Sequence, residues 1–590
     1  MRNLRRILPG LATACLAALA APRGTAQDTT LVSIGPFGQA NDTCIYPEIT
    51  PEGRYVAFQS LASNLVAGDT NGWNDVFRVD LATGTVVRVS VGPGGVEGDA
   101  DSLEPAIDDS GRYVSFFSYA TNLVPGDTNG FPDIFVADVV TGTLTRVSVD
   151  STGVQGNGGS RYPASSADGR WVAFESNATN LVAGDTNGAR DVFVHDLQTG
   201  TTIRASVGAG GAQGDGESLD AAISGDGRLV AFESHATNLV AGDTNLAQDV
   251  FVRDLVLGTT VRVSVDSAGV QGDLESHNPA LSPDGGCVAF DSSATNLVAG
   301  DTNGADDMFR HELATGVTIR ASVSGGGAEG NDDSYDASLS SDGRFLVFAS
   351  WATNLVPGDT NIAQDIFLRD FATGVTERIS VAGVAGQVQG NSFYPAVSAD
   401  GRWIAFDSLA PNVVPVDVNG VVRDAFLRDR GSPFKSYCAG DGTLSTACPC
   451  GNDGGAGRGC ENSTGGGGAR LEASGSVYPD SVVLASSGEL PSALSIFLQG
   501  DASNPAGIVF GDGVRCVAGS LKRLYVKNAS GGAVSAPGAG DPTISARSAA
   551  LGDAFTIGAT RFYQVYYRDP DGSFCPTLTF NVTNGIRIGW

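Results

Sequence analysis

Lysine is nearly absent from this chain of 590 residues: only Lys435, Lys522 and Lys527 occur, and there are 2 methionines. The lysine deficit reads as coding bias, but bases of both kinds are few, 36 Lys+Arg against 65 Asp+Glu, for a net charge of −29. That surplus of acid disfavours nucleic acid and anionic membranes as partners and fits solubility, cation binding or both. Histidine is scarce and scattered. His195 and His311 fall in strand-like runs, His235 opens an acidic loop and His277 precedes another strand, a distribution that reads as structural rather than catalytic. No Gly-x-Ser-x-Gly nucleophile turn is present. After the N-terminus no segment approaches ~18 uninterrupted apolar residues, so no membrane-spanning helix is expected.

What is abundant is glycine, 80 residues, together with 42% hydrophobic content, a composition of many short strands joined by turns. The opening MRNLRRILPGLATACLAALAAPRGTAQ has Arg2, Arg5 and Arg6 before a short apolar stretch and ends in small residues, which predicts a secretory signal over 1–26 cut after Ala26. A lipoprotein reading at Cys15 fits the flanking residues poorly. The mature protein is therefore expected to be secreted, periplasmic or on the cell surface. In such a compartment the six cysteines of the last quarter, Cys438, Cys448, Cys450, Cys460, Cys516 and Cys575, predict up to three disulfides; a zinc site is the competing reading. Cys44 and Cys287 are expected to be buried free thiols.

Self-comparison gives a fixed period. Gly-Asp-Thr-Asn recurs with its aspartate at Asp69, Asp127, Asp185, Asp243, Asp301 and Asp359, and Val-Asp-Val-Asn places Asp417 in register, every interval being 58 residues. Each unit holds four strand-like pieces, in the third Tyr162 to Ser166, Arg170 to Ser176, Asp191 to Leu197 and Thr201 to Val207, and helical spacing appears nowhere in the repeat. Four short antiparallel strands, seven times, predict an all-β fold: a seven-bladed β-propeller over 27–430. The last unit lacks a fourth strand, while Thr29 to Ile34 resembles one. An N-terminal strand that completes the last blade closes the ring and removes its sheet edges.

Ser-Ala-Asp-Gly-Arg-Trp-Val-Ala-Phe at 166–174, Asp-Val-Phe-Val-x-Asp at 191–196 and the following Thr-Gly turn resemble the repeats of TolB-like (WD40-like, PD40-type) propellers, over about 29–430. The resemblance implies the propeller fold and, in a third functional reading, the docking of an exported protein. It implies no Tol-system role, because the blades follow the signal directly. It supplies no catalytic motif either.

Between the second and third strands lies an acidic loop whose spacing is similar to the first ligands of EF-hand-like calcium loops, without their bidentate glutamate. The candidate ligands are Asp69, Asn71 and Asp75; Asp127, Asn129 and Asp133; Asp185, Asn187 and Asp191; Asp243, Asn245 and Asp249; Asp301, Asn303 and Asp307; and Asp359, Asn361 and Asp365. Calcium (Ca2+) is one reading; Asx-turns that need no metal are the other. Leu246 and Ile362 replace glycine in two loops, and the seventh has an extra residue before Asp424. The third-strand arginines Arg78, Arg253, Arg310, Arg369 and Arg428 are expected to pair with repeat carboxylates.

Residues 431–437 read as a linker and 438–590 as a cysteine-rich β-sandwich-like domain of about seven strands and no helix, TISARSA among the strands. Tyr563, Tyr566 and Tyr567 are candidates for a glycan-stacking face. Residues 431–590 hold 12 acids and 11 bases, so the acid surplus belongs to the repeats. The functional expectation is a monomeric, non-enzymatic binding or scaffold propeller, binding calcium and presenting a protein or glycan recognition face. The alternative is a polysaccharide lyase or hydrolase working at the central channel.

Overall fold

The computed structural model describes residues 28–383, 386–431, 434–474, 480, 482–555, 559–571 and 579–590. The signal segment 1–26 lies outside them. The fold is all-β, and its first part consists of seven four-stranded antiparallel sheets. In the first sheet the strands are Cys44–Ile49, Tyr55–Ser60, Asp75–Asp80 and Thr85–Arg88. In the third they are Ser160–Ser165, Trp171–Ser176, Asp191–Asp196 and Thr201–Arg204. The seventh sheet joins the two ends of the array. Ser392–Val397, Trp403–Ser408 and Asp424–Asp429 are completed by Asp28–Leu31, which pairs antiparallel with Asp28 opposite Asp429 and Leu31 opposite Phe426.

The second and third strands are buried on both faces because each sheet is sandwiched between neighbours. Val230, Phe232 and Phe251 of the fourth sheet pack on Ala173, Val192 and Val194 of the third. Ile49, Val56 and Phe58 of the first pack in the same way on Ala405, Ala425 and Leu427 of the last. Burying a phenylalanine of this kind contributes on the order of 2 kcal/mol. The turns after the first strands link neighbours through backbone hydrogen bonds, from Ala167 N to Gly225 O, Gly225 N to Pro283 O, Ser341 N to Ala399 O and finally Ala399 N to Pro51 O at 3.1 Å. Glycine in these turns has a steric reason. Gly111 has φ +69°, and a Cβ there would lie 2.2 Å from the Tyr55 ring of the preceding sheet, as one at Gly53 would from Trp403.

The chain after residue 433 forms a six-stranded sheet ordered Phe434–Tyr437, Gly585–Gly589, Thr560–Arg568, Leu494–Gly500 and Lys522–Asn528, with Phe580–Val582 paired to Thr560–Arg568. A three-stranded sheet and a hairpin accompany it. Disulfides join Cys438 to Cys516 and Cys448 to Cys460. Cys450 is also disulfide-bonded, and Cys575 lies outside the described residues. Cys44 and Cys287 are buried free thiols.

Two expectations for this part are corrected. The run read as the strand TISARSA is instead a helix, Ile544–Ala550, capped by the Thr543 side chain accepting from Ala546 N; the cap and the alanines outweigh the β-branched start. Tyr563 and Tyr567 are fully buried, with Tyr563 Oη donating to Gln499 Oε1 and Asn462 Nδ2 donating to Tyr567 Oη, so the three tyrosines do not form an exposed stacking face.

Removing residues 28–33 is expected to expose the edge of Asp424–Asp429. The truncated protein should melt at lower temperature and elute as oligomers in size-exclusion chromatography; unchanged melting and elution would contradict the role given to this strand.

Candidate functional site

Six of the seven acidic loops already contain a cation. In the first sheet Arg88, on the fourth strand, places Nη1 3.2 Å from Asp69, 3.1 Å from Asp75 and 2.7 Å from Glu97. Arg146 bridges Asp127 and Asp133, Arg204 bridges Asp185 and Asp191, and Arg262 bridges Asp243 and Asp249. Arg320 and Arg378 do the same for Asp301 with Asp307 and Asp359 with Asp365, all within 3.6 Å. The asparagines turn their oxygen away from the carboxylates: Asn71 Oδ1 accepts from Trp73 N while its Nδ2 donates to Asp75 at 3.0 Å. Asn187, Asn245 and Asn303 repeat both bonds, and Asn129 and Asn361 direct Nδ2 to the carbonyls of Gly156 and Val388. The loop is thus an Asx-turn closed by a guanidinium. Among the described residues no group of three or more His, Cys, Asp and Glu is arranged to hold a metal ion.

In the seventh loop Leu31 stands where the others have arginine, and Gln39 Nε2 lies 2.9 Å from Asp417, 3.0 Å from Asn419 and 2.8 Å from Asp424. Leu246 and Ile362 adopt the left-handed φ, +60° and +54°, that glycine takes in the other loops. Arg78, Arg253, Arg310 and Arg369 do not play the part expected of the third-strand arginines. Arg78 donates to Gly111 O, Arg253 to Thr260 Oγ1, Arg310 to the Cys287 sulfur, Arg369 to Gly374 O and Arg428 to Gly383 O. Carboxylate pairing falls instead to the fourth-strand series and to arginines before the second strand, as in Arg170 with Asp196 at 2.6 Å. His195 and His311 are buried on Thr202 and Thr318.

A second set of polar groups converges where the first strands of all seven sheets line one cavity of about 630 Å3. At 58-residue intervals it is ringed by Tyr46, Glu104, Tyr162, Asp220, Asn278, Asp336 and Tyr394. All seven have φ between +44° and +56°, at a cost of about 1 kcal/mol each. The cause is a β-bulge in every first strand, for example between Leu103 and Ala106, which breaks the alternation at the ring residue. The bulge N–H groups are met by the neighbouring second strand: Glu104 N donates to Gln59 Oε1 at 2.6 Å, Asn278 N to Glu233 Oε2 at 2.8 Å and Tyr46 N to Asp407 Oδ1 at 3.3 Å.

The channel is unequal around its circumference. On one side the Tyr46 and Tyr394 rings stack at 4.0 Å with their hydroxyls 3.0 Å apart, and Arg423 covers Phe393 at 4.0 Å. On the other side Glu104, Glu175, Asp220 and Glu233 crowd together. Burial, reinforced by Asp220 and Glu175, pushes Glu104 up to about 8, and burial with Asp220 nearby does the same to Glu233. Burial also pushes Asp291 and Asp407 up to about 7, the latter despite Arg423 at 2.5 Å. Sequence reasoning missed this ring because it sought what repeats. The signal was a position that varies between otherwise uniform neighbours.

No family model matches the chain, and no curated protein matches it. Among solved structures the chain is similar to TolB from Acinetobacter baumannii, with 17% identity, 57% of this chain and 62% of that one covered and a TM-score of 0.32. The match thus spans less than two thirds of that protein. A putative TolB from Agrobacterium tumefaciens gives 13% identity, 66% and 91% coverage and a TM-score of 0.29. An oligogalacturonate lyase in complex with manganese gives 12%, 68% and 96%, and 0.43. None of these likenesses reaches a TM-score of 0.5, and the architecture rests on the chain's own seven four-stranded sheets. The likeness concerns fold alone and assigns no activity.

Two outcomes follow from these charges. Arg262→Met strands Asp243 and Asp249 without their cation and is expected to destabilise the protein by about 3 kcal/mol, read as a lower Tm; an unchanged Tm would contradict the arginine's role. Glu104, Glu233, Asp291 and Asp407 have folded pKa values above their unfolded ones, so their contribution is complete below about pH 4 and is lost as pH rises through about 7 to 8. Melting temperature should therefore fall from about pH 5 to about pH 8, and fall less in Glu104→Gln combined with Asp291→Asn.

Proposed function

We propose that the chain is an exported, monomeric binding protein: a seven-bladed propeller over 27–430 closed by its N-terminal strand, a linker over 431–437 and a disulfide-bonded β-sandwich-like module over 438–590. Its ligand site in this reading is the mouth and bore of the channel. The observation that carries it is the ring itself, where seven equivalent backbone positions hold different polar and aromatic side chains while the surrounding repeat stays uniform. A scaffold selected only to stand upright has no need of strain at all seven positions; a site that aims side chains into a cavity does. The test is a thermal-shift panel of amines, oligosaccharides and peptides on the full chain and on Asn278→Tyr, which places at one ring position the residue three others carry. Shifts lost in that variant support the channel; shifts retained in full contradict it.

The second reading, a glycan-active enzyme at the channel, draws support from Glu104 and Glu233, whose elevated pKa values suit a general acid at neutral pH. Release of reducing ends or unsaturated products from a polysaccharide panel, abolished by Glu104→Gln, would establish it. Calcium at the loops is a separate proposal. Its support is the pair of carboxylates in every unit, and the bound ion would have to displace a guanidinium within 3.6 Å of both. Calorimetric titration with calcium, paired with melting in chelator, tests it; indifference in both leaves arginine as the loop's cation.

A further inference from the structure

Carboxyl side chains that lack partners are distributed along the channel. Glu104 and Asp336 stand at the ring, Glu48 lies two residues further along its first strand, about 7 Å deeper, and Asp109 stands at the foot. Among the described residues none of these four side chains makes a hydrogen bond or an ion pair to protein. Asp336 is half-buried and lines the channel. The nearest guanidiniums are engaged elsewhere, Arg423 with Asp407 and Arg161 over the Tyr119 ring. Acids spaced at separate depths are too far apart to share one metal ion, which needs its oxygens converging within about 2.6 Å of a centre. They suit a ligand that is itself extended and carries several positive charges. The stacked Tyr46–Tyr394 pair supplies an aromatic wall between Asp336 and Glu104, which favours ammonium groups and the methylenes between them. The cavity, about 630 Å3, is of small-molecule size. At the foot the turn backbones are largely bonded to one another, leaving little to satisfy the amides of an inserted polypeptide.

From this arrangement, and resting on the channel reading above, we infer that the channel binds a linear aliphatic polyamine, threaded along the axis with its ammonium groups beside Glu104, Asp336, Glu48 and Asp109. Binding replaces missing protein partners with ligand charges, so the partnerless acids serve the bound state.

Spermidine is the probe, titrated calorimetrically into the full chain. Saturable one-to-one binding is expected, weakened at least ~10-fold by Asp336→Asn or Glu48→Gln, each of which removes one charge pair, and unchanged by Asp332→Asn on an exposed loop. Neither substitution removes a hydrogen bond or ion pair to protein, so these variants should fold. Spermidine binding indifferent to Asp336→Asn and Glu48→Gln would overturn the assignment. Binding of a neutral oligosaccharide or a lysine-rich peptide but not spermidine, lost in Asn278→Tyr, would overturn the polyamine and leave the channel site standing. No binding by any of these probes overturns both.

Discussion

A buried aspartate at the start of every third strand holds the repeat together. In the first sheet Ser90 Oγ donates to Asp75 Oδ1 at 2.5 Å and accepts from Val76 N at 3.0 Å, so one hydroxyl ties the fourth strand to both side chain and backbone of the third. The same node recurs through Ser148 with Asp133, Ser206 with Asp191, Ser264 with Asp249, Ser322 with Asp307 and Ser380 with Asp365. In the last sheet the serine comes from the other end of the chain, Ser33 to Asp424 at 2.6 Å. A fully buried carboxylate is costly unless hydrogen-bonded and compensated. Serine and arginine from the fourth strand supply both, so the outer strand is an electrostatic necessity as well as a sheet edge cover. The N-terminal segment inherits that duty by supplying the serine, with Gln39 in the arginine's place.

The protein's acidity therefore divides into two populations with opposite physics. Loop carboxylates are held by the chain's own arginines, or by Gln39 in the seventh loop, and repeat with the fold. Channel carboxylates are desolvated, crowd one another and vary from unit to unit. Repetition is what a closed array requires of its scaffold, because every blade must solve the same packing problem. Repetition breaks most sharply at the ring, where Glu104, Asp220, Asn278 and Asp336 share the seven positions with Tyr46, Tyr162 and Tyr394.

The period, the strand positions and the closing strand were legible because each is written seven times or, for Thr29 to Ile34, by its conspicuous misplacement. The loops were half legible. Asp-x-Asn-x-x-x-Asp proposed calcium or an Asx-turn with equal geometric sense, and the residue that bridges both aspartates, Arg88 or its equivalents, lies on another strand thirteen residues past the last aspartate, where only pairing register brings it back. Arg78 and its equivalents alternate onto the other side of the sheet and reach carbonyls, hydroxyls and, for Arg310, the Cys287 sulfur. The ring was illegible for a further reason: a bulge, invisible in composition, rotates one residue per unit into the channel. Near the C-terminus, Thr543 as a helix cap before an alanine-rich run was a signal that the β-branched Thr-Ile pair obscured.

The central claim, that the loops are completed by the chain's own arginines and the acids left for a ligand are those of the channel, is tested most directly by anomalous diffraction from crystals of the full chain grown with calcium. The account predicts no calcium peak between Asp69 and Asp75 or their equivalents, with the Arg88-type guanidiniums ordered between the carboxylates. Calcium peaks in the loops with those arginines displaced would contradict it.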